Sequence, residues 1–273
     1  MTILQAIVLG IVQGLTEFLP VSSSAHLVLV PDLLNWQIPP AQIFPFDVLV
    51  QLGTVVAVMA FFWQDLWAII RAWVSGLMKR QPFAEPQSRL GWYLISATIP
   101  AGLAGVLFKD QVEQVFHSPT ATALFLLVTA ALLALAEWLG KRNRSLEVMN
   151  WKDALTMGLM QVLSLLPGVS RSGSTISGGM FRGLDRAAAA RFSFLMSVPV
   201  MLGAGLVGGR DLLSVPDLGT FLPVMIIGFV TAAVVGYFSI AWLLRFLTRR
   251  SFYSFAIYCV AFAALSLLVG ALR

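Results

Sequence analysis

Charge is what this sequence has least of. Only 11% of its 273 residues are Asp, Glu, Lys or Arg, where a soluble domain carries about a quarter. That scarcity excludes water as the main solvent of the folded chain. Cysteine is nearly missing too. The one cysteine, Cys259, lies in an apolar run, so no intrachain disulfide forms and a small, buried residue is expected. There is no P-loop, zinc signature or dinucleotide fingerprint, which argues against a soluble nucleotide cofactor. Nor does a basic region precede the first apolar run, which Gln13, Thr16 and Glu17 interrupt. The N-terminus therefore reads as a retained, functional segment, not a signal peptide.

What is present is apolar: 58% of the residues are hydrophobic, with a mean hydropathy of +0.85. A crossing needs about 20 apolar residues, and spans are expected at about 48–71, 91–108, 119–139, 189–208, 219–243 and 253–272. The formal net charge of +5 does not imply nucleic acid, because the basic residues sit in short loops where they set topology. Most tryptophans lie near segment ends, as an interfacial belt requires.

Two further segments, 3–30 and 154–181, do not read as ordinary spans. Each is broken near its middle by proline and a serine cluster, Leu19-Pro20-Val21-Ser22-Ser23-Ser24 and Leu166-Pro167-Gly168-Val169-Ser170-Arg171-Ser172-Gly173-Ser174. Proline stops a helix, and serine caps the start of the next. A re-entrant helical hairpin is the natural solution, tolerated at membrane depth where protein or a wet cavity surrounds it. The halves also resemble each other. Gly10-Ile11-Val12-Gln13 before Leu19-Pro20 matches Gly158-Leu159-Met160-Gln161 before Leu166-Pro167, and Phe46–Gln51 matches Phe192–Ser197.

One hairpin plus three spans per repeat is an odd number of crossings, so the second repeat is inverted. With both termini outside, Arg71, Lys79, Arg80, Arg89, Lys141, Arg142, Arg144, Lys152, Arg182, Arg186, Arg245, Arg249 and Arg250 fall inside. Only Lys109, Arg210 and Arg273 fall outside, with Arg171 and Arg191 unassigned. That asymmetry supports the orientation. The expected fold is an all-α polytopic membrane protein. It is a single membrane domain, 1–273, with six transmembrane helices plus two re-entrant hairpins in two inverted-topology repeats, 1–140 and 152–273.

Ionisable residues inside a bilayer are costly and functional by default. Glu17 stands four residues after Gln13, on the same helix face. The two suit a hard cation such as Mg²⁺ or Ca²⁺; alternatively Glu17 is a base that activates water, or pairs with Arg171. His26 lies three residues after Ser23 and four after Ser22, a spacing that puts a hydroxyl and the imidazole on one face for nucleophilic attack. Arg171, among Ser170, Ser172, Ser174 and Thr175 in a glycine-containing loop that opens a helix, is what an anion such as phosphate needs. Ser22–Ser24 offers a similar start. His117 reads as a solvated loop residue, and Asp47 and Gln51 stay outside the assigned site.

Gln13-Gly14-Leu15-Thr16-Glu17-Phe18-Leu19-Pro20-Val21-Ser22-Ser23-Ser24-Ala25-His26 resembles the first signature of the bacterial undecaprenyl-diphosphate phosphatases, the bacitracin-resistance proteins. Pro167–Thr175 resembles their second, and length, spacing and hydropathy fit end to end. The resemblance implies hydrolysis of a polyprenyl diphosphate, undecaprenyl diphosphate, to the monophosphate and phosphate, recycling the carrier for the cell wall and conferring bacitracin resistance. It implies a divalent cation, an inner-membrane site facing the periplasm, and a homodimer. By position it assigns Gln13 and Glu17 to metal and catalysis, Ser23 and His26 to nucleophile and partner, and Arg171 to the diphosphate. Ser170, Ser172, Thr175 and Ser24 stand around the phosphates. Gln13 stands where many members carry Glu, which leaves one carboxylate of two; Ser24 and Ala25 stand where Thr and Gly are common. On this reading Ser23, deprotonated by His26, attacks the terminal phosphorus. His26 as nucleophile and water activated by Glu17 are the rival assignments. A lipid transporter and an intramembrane serine protease are the competing functions; phosphate release by purified protein separates both.

Overall fold

The computed structural model describes residues 1–108, 118–208 and 218–273. Lys109, His117 and Arg210, which the loop-charge and loop-histidine readings used, lie outside the described residues. Eleven α-helices are described: α1 (Ile3–Thr16), α2 (Ser23–Leu33), α3 (Pro40–Phe61), α4 (Trp63–Met78), α5 (Pro86–Leu107), α6 (Pro119–Leu139), α7 (Trp151–Val162), α8 (Arg171–Phe181), α9 (Arg186–Gly208), α10 (Leu218–Leu247) and α11 (Tyr253–Leu272). Six of them, α3, α5, α6, α9, α10 and α11, are long and apolar enough to cross a membrane. The chain is a multi-pass membrane protein.

One span differs from expectation. The apolar run through 48–71 breaks at Phe62, so the crossing helix is α3 and its continuation is a separate helix, α4. Neither proline nor glycine marks the break. Phe62 leaves the helical region at φ −99°, ψ 23°, and its backbone caps α3 through Val58 O while receiving Leu66 N–H. Asp65 in the first turn of α4 then pairs with Arg191 at 2.6 Å, tying the bend to α9.

The helices that carry the serine clusters are short. α1 and α2 have 14 and 11 residues; α7 and α8 have 12 and 11. At about 1.5 Å per residue none reaches the ~30 Å of a hydrocarbon core. Both entry helices start in the same way. Thr2 and Gln5 form a capping box at α1, and Asn150 and Asp153 form one at α7, so their first N–H groups are satisfied. Each then presses a glycine onto a helix of the other half. A Cβ on Gly10 would lie 2.7 Å from Gly228 O of α10, and one on Gly158 would lie 2.5 Å from Ala97 O of α5.

The packing is reciprocal. α1 lies on α10 and α7 on α5; α3 lies on α10 and α9 on α5; α3 meets α9, and α6 meets α11. At one end of the molecule the loops converge on two fully buried carboxylates. Glu137 binds Arg142, Arg186 and the backbone N–H of Phe252; Asp153 binds Arg144 and Arg182. The termini share a different neighbourhood. The Met1 ammonium donates to Gln42, at the start of α3, and Arg273 donates to the carbonyls of Asp32 and Leu33, at the end of α2.

Candidate active site

Two helix starts meet in the interior. In the first segment α1 ends at Thr16, and the chain turns through Glu17–Val21 before Ser22 caps α2 by accepting from Ala25 N–H. Ser22 sits at φ 69°, ψ 99°, a left-handed φ that costs a side-chain-bearing residue about 1–3 kcal/mol and gathers at functional sites. In the second segment Gly168 takes φ +104°, and a Cβ there would lie 2.3 Å from Thr122 O. Only glycine fits. Ser170 then caps α8 by accepting from Gly173 N–H. The loops touch: Gly168 N–H donates to Ser24 Oγ at 3.4 Å, and Ser172 Oγ donates to Leu19 O at 3.2 Å. Thr129 of α6 clamps the second loop, donating to Gly168 O and accepting Ser170 N–H.

Glu17 is the hub. It is 5% exposed and accepts three donors. Ser23 Oγ approaches Oε2 at 2.6 Å, Gln13 Nε2 approaches the same oxygen at 2.9 Å, and the Arg171 guanidinium approaches Oε1 at 3.1 Å. A buried carboxylate and a guanidinium that is only 11% exposed each need the other. Arg171 also donates to Ser193 O at 3.2 Å, and its Nε–H is buried without a protein partner. A charged donor with an unused N–H at a helix start is poised for an anion.

The structure therefore brings Gln13, Glu17, Ser23 and Arg171 together. The expected pairing of Ser23 with His26 is not formed. His26 Nδ1 lies 2.7 Å from the carbonyl of Ser22, and Nε2 lies 2.7 Å from the Tyr258 hydroxyl. The reason is helical geometry. Cβ vectors tilt toward a helix N-terminus, so Ser23, the first residue of α2, points back over the turn onto Glu17, while His26 leans on α11. Several expected phosphate donors are partly committed to the scaffold. Ser170 Oγ and Ser172 Oγ lie 3.1 Å apart, and Thr175 Oγ1 donates to Arg171 O and meets Ser193 Oγ at 2.7 Å. Ser23, Ser24 and Arg171 keep partial exposure. Asp47 and Gln51 lie on α3 in the sector that carries Thr54, whose hydroxyl stands 3.5 Å from Gln13 Nε2.

Four contributors were not singled out from sequence: Thr54, Thr129, Ser193 and Tyr258. Ser193 had one signal, its match to Asp47 in the repeat alignment. The counterpart of Gln13 in the second half, Gln161, is buried with both amide atoms unpartnered. Four residues on from it stands Leu165 instead of a glutamate.

The donor set suits a hard cation. Gln13 Oε1 is buried without a partner while its Nε2 is bound to Glu17, so an amide oxygen and a carboxylate stand together. Among the described residues no three His, Cys, Asp or Glu side chains gather. The protein would supply few ligands here, and water and phosphate oxygens the rest, which is the habit of Mg²⁺.

The family model described as "Bacitracin resistance protein BacA" matches residues 6–265. An undecaprenyl-diphosphatase of Thermomicrobium roseum is 46% identical over 276 residues, covering 98% of both chains. One of Moorella thermoacetica is 46% identical over 273 residues, covering 100% of both. One of Nocardioides sp. is 42% identical over 268 residues, covering 98% of this chain and 96% of that one. Matched from end to end in sequence, and carrying both signatures in one interior cluster, this chain belongs to the bacitracin resistance protein BacA family.

Proposed function

We propose that this protein hydrolyses undecaprenyl diphosphate to undecaprenyl phosphate and inorganic phosphate, returning the lipid carrier to cell-wall synthesis and thereby raising bacitracin resistance. The contact chain Ser23–Glu17–Arg171 is the observation that carries the chemistry. The Ser23 hydroxyl and the Arg171 guanidinium each meet one oxygen of the Glu17 carboxylate, which supports Ser23 as nucleophile, Glu17 as base and Arg171 as anion-binding fork.

The diphosphate takes the Arg171 guanidinium, whose unpartnered Nε–H and helix-start position favour an anion. Arg171 then exchanges its buried partner, and Glu17 Oε1 is released. Glu17 Oε2 accepts the proton of Ser23 as its oxygen forms a bond to the terminal phosphorus. The bond from that phosphorus to the bridging oxygen breaks, and the lipid monophosphate leaves. Water then attacks the phosphoserine, the Ser23 oxygen recovers a proton, and phosphate departs. Catalysis of this kind is mainly positioning and charge stabilisation. Mg²⁺ or Ca²⁺, held by Glu17 and Gln13 Oε1, would neutralise phosphate charge when bound. His26 is not the base in this reading, because both its ring nitrogens are engaged elsewhere.

The same reading sets the membrane arrangement. α1–α2 and α7–α8 are re-entrant hairpins, and the two halves are inverted repeats. Their matched lengths, capping boxes and glycine contacts, and the reciprocal packing, support this. The end with the Glu137 and Asp153 clusters faces the cytoplasm, in keeping with its arginines. The termini and the mouth of the site face the periplasm across the inner membrane. A homodimer is a further part of the reading.

Phosphate release from C55 diphosphate by purified protein tests the proposal, without any membrane gradient. Wild type should turn over, and Ser23→Ala, Glu17→Ala and Arg171→Ala should each lose most activity. A phosphoserine trapped at Ser23 supports the covalent route. Near-normal turnover of Ser23→Ala overturns it.

A further inference from the structure

α11, from the second half of the chain, touches the first helix start at consecutive residues. Tyr258 reaches His26, and the thiol of Cys259 lies 3.9 Å from Pro20 O. One turn on, Phe262 stacks on the His26 ring with centroids 4.5 Å apart and planes 3° from parallel. Tyr258 lies parallel to both rings, 5.7 Å from His26 and 5.9 Å from Phe262. The imidazole is thus slotted against α11, fixed in plane by stacking and in rotation by two hydrogen bonds.

Those bonds determine where the proton sits. A carbonyl only accepts, so Nδ1 carries the hydrogen donated to Ser22 O. In the neutral ring Nε2 is then an acceptor, and the Tyr258 hydroxyl donates to it. The carbonyl in question belongs to the one residue of this loop with a left-handed φ and a side chain, Ser22 at 69°. It also accepts the backbone N–H of His26 at 3.3 Å. Holding that oxygen fixes the peptide plane between Ser22 and Ser23, and so the direction in which the Ser23 hydroxyl leaves the backbone.

We propose that Tyr258 is a positioning residue for the reaction: its hydroxyl locks His26 in the Nδ1–H tautomer, which holds the Ser22 carbonyl and keeps the Ser23 hydroxyl on Glu17. The proposal rests on Ser23 and Glu17 acting as nucleophile and base. It makes His26 a strut between α11 and the catalytic turn, one step removed from the phosphorus. It also gives α11 a part in the site, beside the two helix starts and the contributions of α3, α6 and α9.

The test uses the full chain in nanodiscs. Tyr258→Phe keeps the ring and both stacks and deletes one donor. It should lower kcat about tenfold, the size of one lost hydrogen bond, with KM changed less than twofold and the thermal midpoint nearly kept. The second readout does not depend on turnover. The chain has two histidines, so His117→Asn leaves one imidazole for ¹⁵N spectroscopy. Wild-type His26 should show a protonated Nδ1 and an unprotonated, hydrogen-bonded Nε2, with that Nε2 signal shifted in Tyr258→Phe. An Nε2–H tautomer in the unaltered site overturns the proposal, even where Tyr258→Phe fails to fold. Wild-type kcat in Tyr258→Phe overturns it too, as does a loss that appears in KM as much as in kcat. Should Ser23→Ala keep full turnover while the tautomer is as stated, the nucleophile assignment fails and the lock itself stands.

Discussion

Replacing Glu17 by glutamine separates two of the three duties proposed for this carboxylate, base and ion-pair partner, from its part in holding a cation. The substitution keeps size and an acceptor oxygen but removes the charge that faces Ser23 at 2.6 Å and Arg171 at 3.1 Å. As base, Glu17 should be worth about 10²–10⁴-fold in rate, so kcat should fall about a thousandfold, roughly 4 kcal/mol of barrier. As ion-pair partner it balances a guanidinium whose side chain is 11% exposed. Removing one member of such a buried pair costs about 3 kcal/mol of folding stability. Those effects have a consequence for binding. On the proposed mechanism the substrate displaces Glu17 from Arg171; in Glu17→Gln the guanidinium keeps Ser193 O but faces a neutral amide in place of a carboxylate, and takes an anion more readily. KM should therefore hold or fall while kcat collapses. Steady-state phosphate release over a substrate series gives the split. A thermal melt with added inorganic diphosphate gives an independent check, because the anion should raise the midpoint of Glu17→Gln more than that of wild type. The reasoning is refuted if Glu17→Gln keeps kcat within about threefold of wild type, or if its KM rises as kcat falls.

Three further substitutions test other parts of the structure. Arg171→Lys replaces a planar fork by a point charge and loses the bond to Ser193 O, so KM for the diphosphate should rise about tenfold or more with a smaller change in kcat; equal kinetics would remove the anion role. Gly168→Ala adds a Cβ at φ +104°, 2.3 Å from Thr122 O, and should cost about 3 kcal/mol or more, read as a lower melting midpoint. Asp153 is buried in the loop cluster: burial pushes its carboxyl up, but hydrogen bonds from Arg144, the Asn150 backbone and Arg182 outweigh this and hold it below its ordinary value of 3.8. A depressed carboxylate stabilises the fold above its unfolded pKa and loses that contribution as pH falls through the lower folded value. Asp153→Asn should thus be less stable than wild type at pH 7, and the gap should close only below about pH 4; a gap unchanged at acid pH contradicts the ion-pair account.

The parts of this architecture legible in sequence are those with local causes. Pro20 and Pro167, each followed by a capping serine, announce the two broken segments. Gln13 and Glu17 share a face because four residues make about one helical turn. Glycine and arginine beside a helix start announce an anion pocket. The break at Phe62 carries neither proline nor glycine; its one local sign is the polar pair Gln64-Asp65 just after it, inside the run expected as a single span. The exposed Asp65–Arg191 pair ties the bend to α9. The partner of His26 was misassigned for a related reason. Spacing puts Ser23 and His26 on one side of α2, but the first residue of a helix projects over the preceding turn, and what waits in that turn is Glu17. Tyr258, Thr129 and Thr54 carry no local signal, and Ser193 only its match to Asp47. On an apolar helix a single hydroxyl facing an interior pocket reads the same as one facing lipid until the packing is known.

If the two halves are the repeats proposed above, their differences account for a single site. Align the capping serines, and Ser22 corresponds to Ser170, Ser23 to Arg171 and Gln13 to Gln161. The first half supplies the acid, at Glu17, four residues beyond its glutamine; the second half has Leu165 there. The second half supplies the cation, at Arg171, one residue beyond its cap; the first half has the hydroxyl of Ser23 there. Each half is therefore incomplete, and in the complementary way. The contact of Glu17 with Ser23 is local, but its contact with Arg171 exists only because the two starts meet. A symmetric arrangement would place two carboxylates and two guanidiniums in the interior, with twice the desolvation cost and no hydroxyl in the position of Ser23. The asymmetric one keeps a single compensated pair and frees the equivalent position for chemistry. Gln161, the match to Gln13, is buried with its amide atoms unpartnered, and four residues on from it stands a leucine in place of an acid.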